Sequence, residues 1–259
     1  MSYSFTQHID VALVVLNAFF LFFFGLILYL RREDRREGYP LENELTGALD
    51  PAGGPILTAN RKTFHLPFGH GSVTVPSLER EPVQIAARRT DFGFGSPIEP
   101  TGNPLVDGVG PAAWANRAKR PDLDYEGHAR IVPMSTVAEF SVAMQDADPR
   151  GFKVVAADGV VVGTVSELWI DKADRLIRYL QVSLQGEAPR EVLAPMMMAS
   201  VKRKTGTVTI DAIVSGQWAE APAMPEGSAV ITLYEEERVQ AYFGGGYLYA
   251  TPQRSEPLL

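Results

Sequence analysis

The chain begins with one long run of apolar residues. Positions 11–30 contain no charged residue, and fifteen of these twenty residues are Leu, Ile, Phe or Val. A helix rises about 1.5 Å per residue, so a run of this length spans about 30 Å, the thickness of the hydrocarbon core of a bilayer. The pattern therefore predicts a transmembrane helix over residues 11–31, with residues 1–10 on the far side of the membrane.

The charges that flank this helix indicate its orientation. Four arginines follow it, at positions 31, 32, 35 and 36, whereas no Lys or Arg precedes it. Because basic residues stay on the cytoplasmic side, we expect the N-terminus in the periplasm and the rest of the chain in the cytoplasm. The start also lacks the basic residues and the small-residue cleavage site of a signal peptide, which favours an uncleaved anchor.

Residues 32–115 are predicted to form a juxtamembrane helix end followed by an extended surface strap. Ten prolines lie between positions 38 and 114, a density that excludes long helices. One short hairpin is predicted, in which residues 62–66 pair with residues 72–75. The strap carries apolar residues but cannot form a core of its own, so we expect it to lie against a partner.

Residues 116–250 show short β-rich segments separated by turns. The predicted strands are 153–157, 160–165, 167–171, 177–184, 191–198, 207–213 and 230–234. They indicate a small antiparallel β-barrel or sandwich. A helix is predicted over 235–243, with acidic residues at its start and three glycines as its stop, and residues 251–259 form a tail. The expected fold class is mainly β, with one transmembrane helix, the strap and a C-terminal helix.

Composition and charge exclude several functions. The net charge is −7 and cysteine is absent. An acidic chain has little affinity for nucleic-acid phosphates, and the lack of thiolates removes disulfides, iron–sulfur clusters and sulfur-ligated zinc. The sequence has no signature of a nucleophile and its base, which disfavours a membrane-anchored hydrolase. We therefore assign no catalytic, cofactor-binding or metal-binding residues to this chain.

Two groups of charged residues could accept and pass protons. The first group alternates along a stretch predicted to be extended: Asp122, Asp124, Glu126 and His128. The second group brackets a predicted turn: Asp171, Asp174, Arg175 and Arg178. Alternate residues of an extended chain share one side, and crowded carboxylates are expected to raise each other's pKa. Ordinary solvated turn acids would give the same spacing, so the spacing alone leaves both interpretations open.

Several motifs resemble the H subunit of the photosynthetic reaction centre of purple bacteria. The longest is YLRREDRREGYPLE at 29–42, directly after the apolar helix. Further matches are PTGNP at 100–104, DGVGPA at 107–112, LWID at 168–171 and GGGYLYA at 244–250. The similarity covers essentially the whole chain, and the motifs occur in the order found in that family. We identify the chain as a member of it on this resemblance.

The resemblance implies a single-pass subunit of the bacterial inner, intracytoplasmic membrane whose cytoplasmic PRC barrel caps the L and M subunits. In that family L and M bind the bacteriochlorophyll, bacteriopheophytin, quinones, non-haem iron and carotenoid, and the H subunit binds none of them. Its implied work is to stabilise the complex, to shield the quinone sites and to conduct protons to the secondary quinone. Membrane lipids, a cytochrome subunit and the surrounding light-harvesting antenna are further candidate partners.

By the same resemblance, six residues belong to the proton route: Asp124, Glu126, His128, Asp171, Asp174 and Arg178. Asp124 and His128 would lie near the proton entry, and Asp171 and Asp174 further in. Glu126 stands where some members have a second histidine, and Asp174 where some have a longer glutamate. A different interpretation also remains open, in which the chain is a membrane-tethered barrel that acts as an adaptor in another assembly.

Overall fold

The computed structural model describes residues 10–39, 41–50, 58–77, 84–186, 190–224 and 227–255. Most of the predicted N-terminal segment and the last four residues of the predicted tail lie outside these ranges. The chain divides into two compact units. The first comprises Met1–Val83 and Asp91–Ser96, and the second comprises Gln84–Thr90 and Pro97–Leu259.

The first unit contains the apolar helix α1, Val11–Glu33. Its N-cap is Asp10, whose carboxylate accepts hydrogen bonds from the backbone N–H groups of Ala12 and Leu13. The apolar side chains along α1 are exposed, as a helix surrounded by lipid or by other helices requires. Among the described residues, α1 is the one helix long and apolar enough to cross a membrane, which agrees with the predicted span.

The end of α1 is hydrogen-bonded to the hairpin formed by residues 62–65 and 72–75. A 3₁₀ turn, Asp34–Arg36, continues the helix. The buried guanidinium of Arg36 donates to the backbone carbonyls of Asn60 and Val75 and to the carboxylate of Glu33, and Lys62 contacts the same carboxylate at 2.9 Å. These bonds satisfy a buried cation and tie the helix to the chain beyond residue 58.

The described part of the predicted strap contains three short hairpins. The pairs are β1 (Leu41–Glu42) with β2 (Leu49–Asp50), β3 (Lys62–His65) with β4 (Ser72–Val75), and β5 (Ala87–Arg89) with β6 (Ile98–Pro100). The predicted hairpin is confirmed as β3 and β4. The other two pairs, and the one-turn helix α2 at Pro104–Asp107, occur where the sequence predicted extended chain.

The second unit is built on a seven-stranded sheet. Its strands are β7 (Ile131–Pro133), β8 (Lys153–Val155), β9 (Val161–Asp171), β10 (Leu176–Leu184), β11 (Glu191–Pro195), β12 (Ala199–Lys202) and β13 (Thr207–Ile210). The order is β11-β10-β9-β8-β13-β12, and β7 pairs with the end of β9. All pairs are antiparallel except β8 with β13. The expected mainly β fold with a C-terminal helix is confirmed.

Several predicted strand limits were wrong. The predicted strands 160–165 and 167–171 are one strand, β9, because Ser166 is an extra residue that interrupts the pairing with β10 without ending it. The predicted strand 191–198 ends at Pro195, where a 3₁₀ turn begins. The predicted strand 230–234 is absent, because Thr232 is the N-cap of a helix. Strands β7 and β12 were not predicted.

That helix, α3, runs over Leu233–Tyr249 and continues through the three glycines that were expected to stop it. Thr232 and Glu235 form a capping box at its start. Two of the glycines allow close packing: a Cβ at Gly245 would clash with Cβ of Ala112, and one at Gly246 would clash with the carbonyl oxygen of Ala212. The glycines therefore let α3 approach the neighbouring backbone.

The core of the second unit lies between the sheet and α3. Trp218 packs edge-on against Phe243 of α3, with ring centroids 5.4 Å apart. The largest fully buried side chains are Trp169, Trp218, Tyr179, Phe243, Leu105, Leu168, Ile170, Leu180, Leu193, Ile210, Ile213 and Ile231. Because Leu105 of α2 is among them, part of the predicted strap belongs to the core of this unit.

Candidate functional site

The first acidic group lies on a tight reversal of the chain and not on an extended segment. The backbone N–H of Asp124 donates to the carbonyl of His128 at 2.9 Å, and Leu123 is bridged to Ala129. Gly127 makes the reversal possible with a φ of +86°. The expectation that alternation places this group along one side of an extended chain was therefore wrong, because the chain folds back within it.

Asp124 is held at the centre of this turn. Its carboxylate accepts the backbone N–H groups of Glu126 and His128 at 3.0 and 2.9 Å, and the ammonium of Lys172 at 2.8 Å. The hydrogen bond from Lys172 and those from the backbone outweigh desolvation and lower the pKa of Asp124 to about 2. The expected upward pKa shift was wrong here, because the nearest charge is a cation and not a second carboxylate.

The outer part of this loop faces solvent. The side chains of His128 and Glu126 are 69% and 55% exposed, and His128 Nδ1 lies 3.5 Å from Glu126 Oε2. The loop borders a cleft of about 800 Å³, which Asp124, Lys172 and Glu139 also line. Water therefore has direct access to the outer end of the acidic group.

Asp171, the last residue of β9, is the buried centre of the second group. Its side chain has no solvent exposure, and it accepts hydrogen bonds from Arg130 Nε at 2.8 Å and from Arg178 at 2.7 Å. The backbone N–H groups of Ala173 and Asp174 donate to it at 3.0 Å. Burial alone would raise the pKa of Asp171, but these donors outweigh burial and lower it to about 2.

Asp174 lies at the outer side of the same turn and shares both arginines. Its carboxylate is 50% exposed and contacts Arg130 at 2.6 Å and Arg178 at 3.1 Å. Two guanidinium groups thus bridge two aspartates, one buried and one half-exposed. Arg175, which was expected to tune these acids together with Arg178, makes no hydrogen bond or ion pair with any residue in the described parts of the chain.

The two predicted groups meet through β7 and the turn after β9. Ile131 of β7 is paired with Asp171, and the backbone N–H of Lys172 donates to the carbonyl of Arg130 at 3.0 Å. Lys172 reaches the first group through Asp124, and Arg130 lies 3.5 Å from Asp122. Arg130 and Lys172 were missed in the sequence, although Arg130 follows His128 by two residues and therefore continues the charged alternation.

A further acid, Glu236 in the first turn of α3, lies beside the network. Burial raises its pKa, against the opposing effects of Tyr179 and the nearby Arg178. Tyr179 donates its hydroxyl to Glu236 at 3.1 Å, and Gln240 donates to that hydroxyl at 3.2 Å. These residues line a cleft of about 300 Å³ together with Asp122. Glu236 was not singled out from the sequence, because an acid at the start of a helix is common and its burial depends on packing against β10.

Two family models match the chain. The model for the photosynthetic reaction centre H-chain N-terminal region matches residues 3–136, which is more than half of the chain, and the PRC-barrel domain matches residues 142–217. The chain belongs to the reaction-centre H-chain family. It is thus a membrane-anchored structural subunit, not an enzyme, that associates with other reaction-centre subunits. This membership decides against the adaptor interpretation.

The charged network of this H chain has members in both matched regions. The first acidic group and Arg130 lie in the N-terminal region, and the Asp171 turn lies in the barrel region. Glu236 lies beyond both matched regions. The described residues contain no group of three or more His, Cys, Asp or Glu side chains that could hold a metal ion.

Proposed function

We propose that this H chain caps the cytoplasmic face of the L and M subunits, shields their quinone sites and conducts protons to the secondary quinone. The observation that supports the proton route is a series of contacts from the solvent-exposed loop at His128 to the fully buried Asp171. Ion pairs join His128 to Asp124, Asp124 to Lys172, and Arg130 to Asp171, and a backbone hydrogen bond joins Lys172 to Arg130. Reduction of a quinone to a quinol consumes protons, and the site of that reduction in L and M lies away from bulk water. A subunit with such a series can supply those protons.

The route begins at Glu126 and His128, whose side chains are exposed to water. It continues past Asp124 and Lys172, whose backbone is bonded to that of Arg130. Arg130 then reaches the pair Asp171 and Asp174. The six residues named from the family resemblance, together with Arg130 and Lys172, are our proposed members of this route.

The acids of the route have two different tasks. Asp124 and Asp171 have pKa values lowered to about 2, so they stay ionised at neutral pH. An acid that releases its proton so readily is a poor carrier, because efficient transfer needs a pKa near the working pH. We assign these two aspartates the task of holding the cations and stabilising a proton on neighbouring water. Glu236 lies beside the route and is not one of these members; burial raises its pKa, so it is better suited to hold a proton.

The orientation is part of the same proposal. We propose that the barrel lies in the cytoplasm and the N-terminus in the periplasm of the inner, intracytoplasmic membrane, and the four arginines after α1 support this orientation. The exposed apolar side chains of α1 then face lipid and the membrane subunits. The pigments, quinones and non-haem iron belong to L and M in this arrangement, and the H chain contributes no ligand to them.

The test measures electron transfer in the intact complex. We expect Asp174→Asn to slow the proton-coupled second electron transfer to the secondary quinone and to leave primary charge separation unchanged. Asp148→Asn is the matched control, because Asp148 is an exposed partner of Arg150 outside the network. Second-transfer kinetics identical to those of the unmodified complex between pH 6 and pH 9 would remove Asp174 from the route and leave the capping role standing.

A further inference from the structure

The hairpin of β3 and β4 has one apolar face and one polar face. Residues that stand opposite each other in an antiparallel pair share a face, so Phe64 and Val73 lie on the same side. The neighbouring pair on that side is Lys62 with Val75. The other face carries four polar side chains: Thr63, His65, Ser72 and Thr74. The hairpin is therefore amphipathic.

The apolar side of the hairpin is exposed. The side chains of Phe64 and Val73 are 47% and 45% exposed. At the tip, Phe68 is 51% exposed and has a φ of +55°, a left-handed conformation that favours glycine. A two-stranded hairpin is only marginally stable in water, and an exposed apolar patch marks a surface that contacts another molecule or phase.

The base of the hairpin is held at the end of the membrane anchor α1. Arg36 donates to the carbonyls of Asn60 and Val75, which lie where the two strands begin and end. Arg32 Nε donates to the carbonyl of Thr58 at 3.2 Å. The apolar run of α1 ends six residues before Arg36. At 1.5 Å per residue, the base of the hairpin therefore lies within about 10 Å of the hydrocarbon core.

The contact of Lys62 with α1 indicates which face of the hairpin is turned towards the membrane. The side chain of Lys62 projects from the same face as Phe64, and its ammonium contacts the carboxylate of Glu33 at 2.9 Å. Glu33 is the last residue of α1, so it lies on the membrane side of the turn that holds the base of the hairpin. The apolar face is thus turned towards the membrane, and the polar face towards water.

The surroundings of this face match a lipid surface. The apolar side chains of α1 are exposed along its length, so lipid that surrounds the anchor also reaches the hairpin held at its end. Arg31 and Arg61 are exposed on either side of the junction. Basic side chains are attracted to anionic headgroups, and a segment with apolar residues on one face and basic residues at its border is typical of the membrane interface.

We propose that the hairpin of β3 and β4 lies flat on the membrane surface beside α1 and inserts Phe64, Phe68 and Val73 among the phospholipid headgroups. The hairpin then acts as a stop that sets the depth of α1 in the bilayer. This inference goes beyond the proposed function and does not depend on the proton route, because it requires only that α1 crosses the membrane.

Site-directed spin labelling tests the contact with lipid. The chain contains no cysteine, so one introduced cysteine gives one labelled site. Val73→Cys places the label on the apolar face, and Ser72→Cys places it on the polar face of the same strand; both positions are exposed. The full chain is measured in vesicles of phosphatidylcholine and phosphatidylglycerol, and the intact complex is measured in native membranes.

The readout is the ratio of collisions with oxygen, which dissolves in lipid, to collisions with a water-soluble nickel chelate. We expect this ratio to be about threefold or more higher for the label at residue 73 than for the label at residue 72. Equal ratios at the two positions would overturn the proposal. A label at residue 73 that neither oxygen nor the chelate reaches in the intact complex would also overturn it, because a protein would then cover this face.

A charged substitution on the apolar face tests the cause of the contact. Phe64→Asp should lower the ratio at residue 73 to that measured at residue 72, because a carboxylate is expelled from the headgroup region, whereas Phe64→Leu should leave it high. Thr63→Asp, on the polar face, is the matched control and should also leave it high. Amide hydrogen exchange in β3 and β4 establishes that the hairpin is formed in each variant. A formed Phe64→Asp hairpin with an unchanged ratio, or a loss of the ratio in Phe64→Leu, would refute the role of this face.

Discussion

Replacing Asp171 with asparagine removes one negative charge from the interior of the barrel and hardly changes the shape of the side chain. The asparagine oxygen can still accept the backbone N–H groups of Ala173 and Asp174, so the turn after β9 keeps its hydrogen bonds. Arg130 and Arg178 lose the carboxylate to which both donate. The substitution therefore isolates the contribution of the charge.

The magnitude follows from the pKa of Asp171. The ordinary value is 3.8, and in the fold it is lowered to about 2. At about 1.4 kcal/mol per pKa unit, this difference corresponds to at most about 2.5 kcal/mol of stability at neutral pH. The two arginines are 26% and 35% exposed, so water screens part of the interaction. We expect Asp171→Asn to lower the free energy of unfolding by about 1 to 2 kcal/mol at pH 7.

The sign of the pH dependence is also determined. Because the folded-state pKa lies below the unfolded-state value, the charge of Asp171 stabilises the fold fully above about pH 4, and this stabilisation is lost as the pH falls towards 2. The difference between the unmodified chain and Asp171→Asn should therefore be constant from pH 8 to about pH 5 and should shrink in acid.

Urea denaturation of the full-length chain in detergent measures this difference. Two of the three tryptophans, Trp169 and Trp218, are buried in the barrel unit and report its unfolding by fluorescence. Asp148→Asn removes an equivalent charge from an exposed arginine pair and should cost less than about 1 kcal/mol. An Asp171→Asn penalty no larger than that of the control at pH 7, or one that persists unchanged at pH 3, would refute the assignment of Asp171 as a buried fixed charge.

Three further predictions concern packing, burial and the juxtamembrane cluster. Gly246→Ala should destabilise the barrel by about 2 kcal/mol, because its Cβ would meet the carbonyl of Ala212. Gly244→Ala meets no atom within 4 Å and should stabilise α3 by about 0.5 kcal/mol. Thermal unfolding of the two variants measures this difference. Glu236→Gln should be at least as stable as the unmodified chain at pH 8, because burial penalises the charged form, and urea titrations at pH 5 and pH 8 should show this advantage disappearing in acid. The lysine of Arg36→Lys cannot make all the hydrogen bonds of the guanidinium, so this variant should lose about 1 to 2 kcal/mol of local stability. Amide hydrogen exchange in β3 and β4 should then be faster. In the control, Arg61→Lys, the exchange rates should stay unchanged.

The elements with a strong periodic signal were predictable from the sequence. The apolar run gave α1, and alternating strands around Asp158-Gly159 gave β8 and β9. The failures have local causes. The glycines of α3 were read as a stop because a sequence pattern does not reveal that Ala112 and Ala212 pack against them. The short strands β7 and β12 depend on pairing with distant partners, and three or four residues carry too little pattern to predict this.

The charged site was predictable only in part, because some of its members come from distant segments of the chain. Its acids could be named from spacing and resemblance, but their pKa values depend on cations that come from other segments. Arg130 reaches Asp171 across 41 positions of sequence, and Lys172 reaches Asp124 across 48. The direction of the pKa shifts was therefore reversed once the fold brought these partners together. The roles of the six residues in proton transfer, and the limits of the predicted domains, stay predictions.

The hydrogen bonds of Arg36 fix how α1 is rotated about its own axis relative to the hairpin of β3 and β4. Because the guanidinium joins the end of α1 to β3 and β4, the helix cannot turn about its axis without breaking these contacts. The stacked rings of Phe19 and Phe23 therefore point in one fixed direction relative to the hairpin. One residue inserted before Arg31 would rotate these rings by about 100° relative to the bonded Arg36 side chain. The number of residues between these rings and Arg36 therefore determines in which direction the rings face, and so which neighbouring molecules they contact.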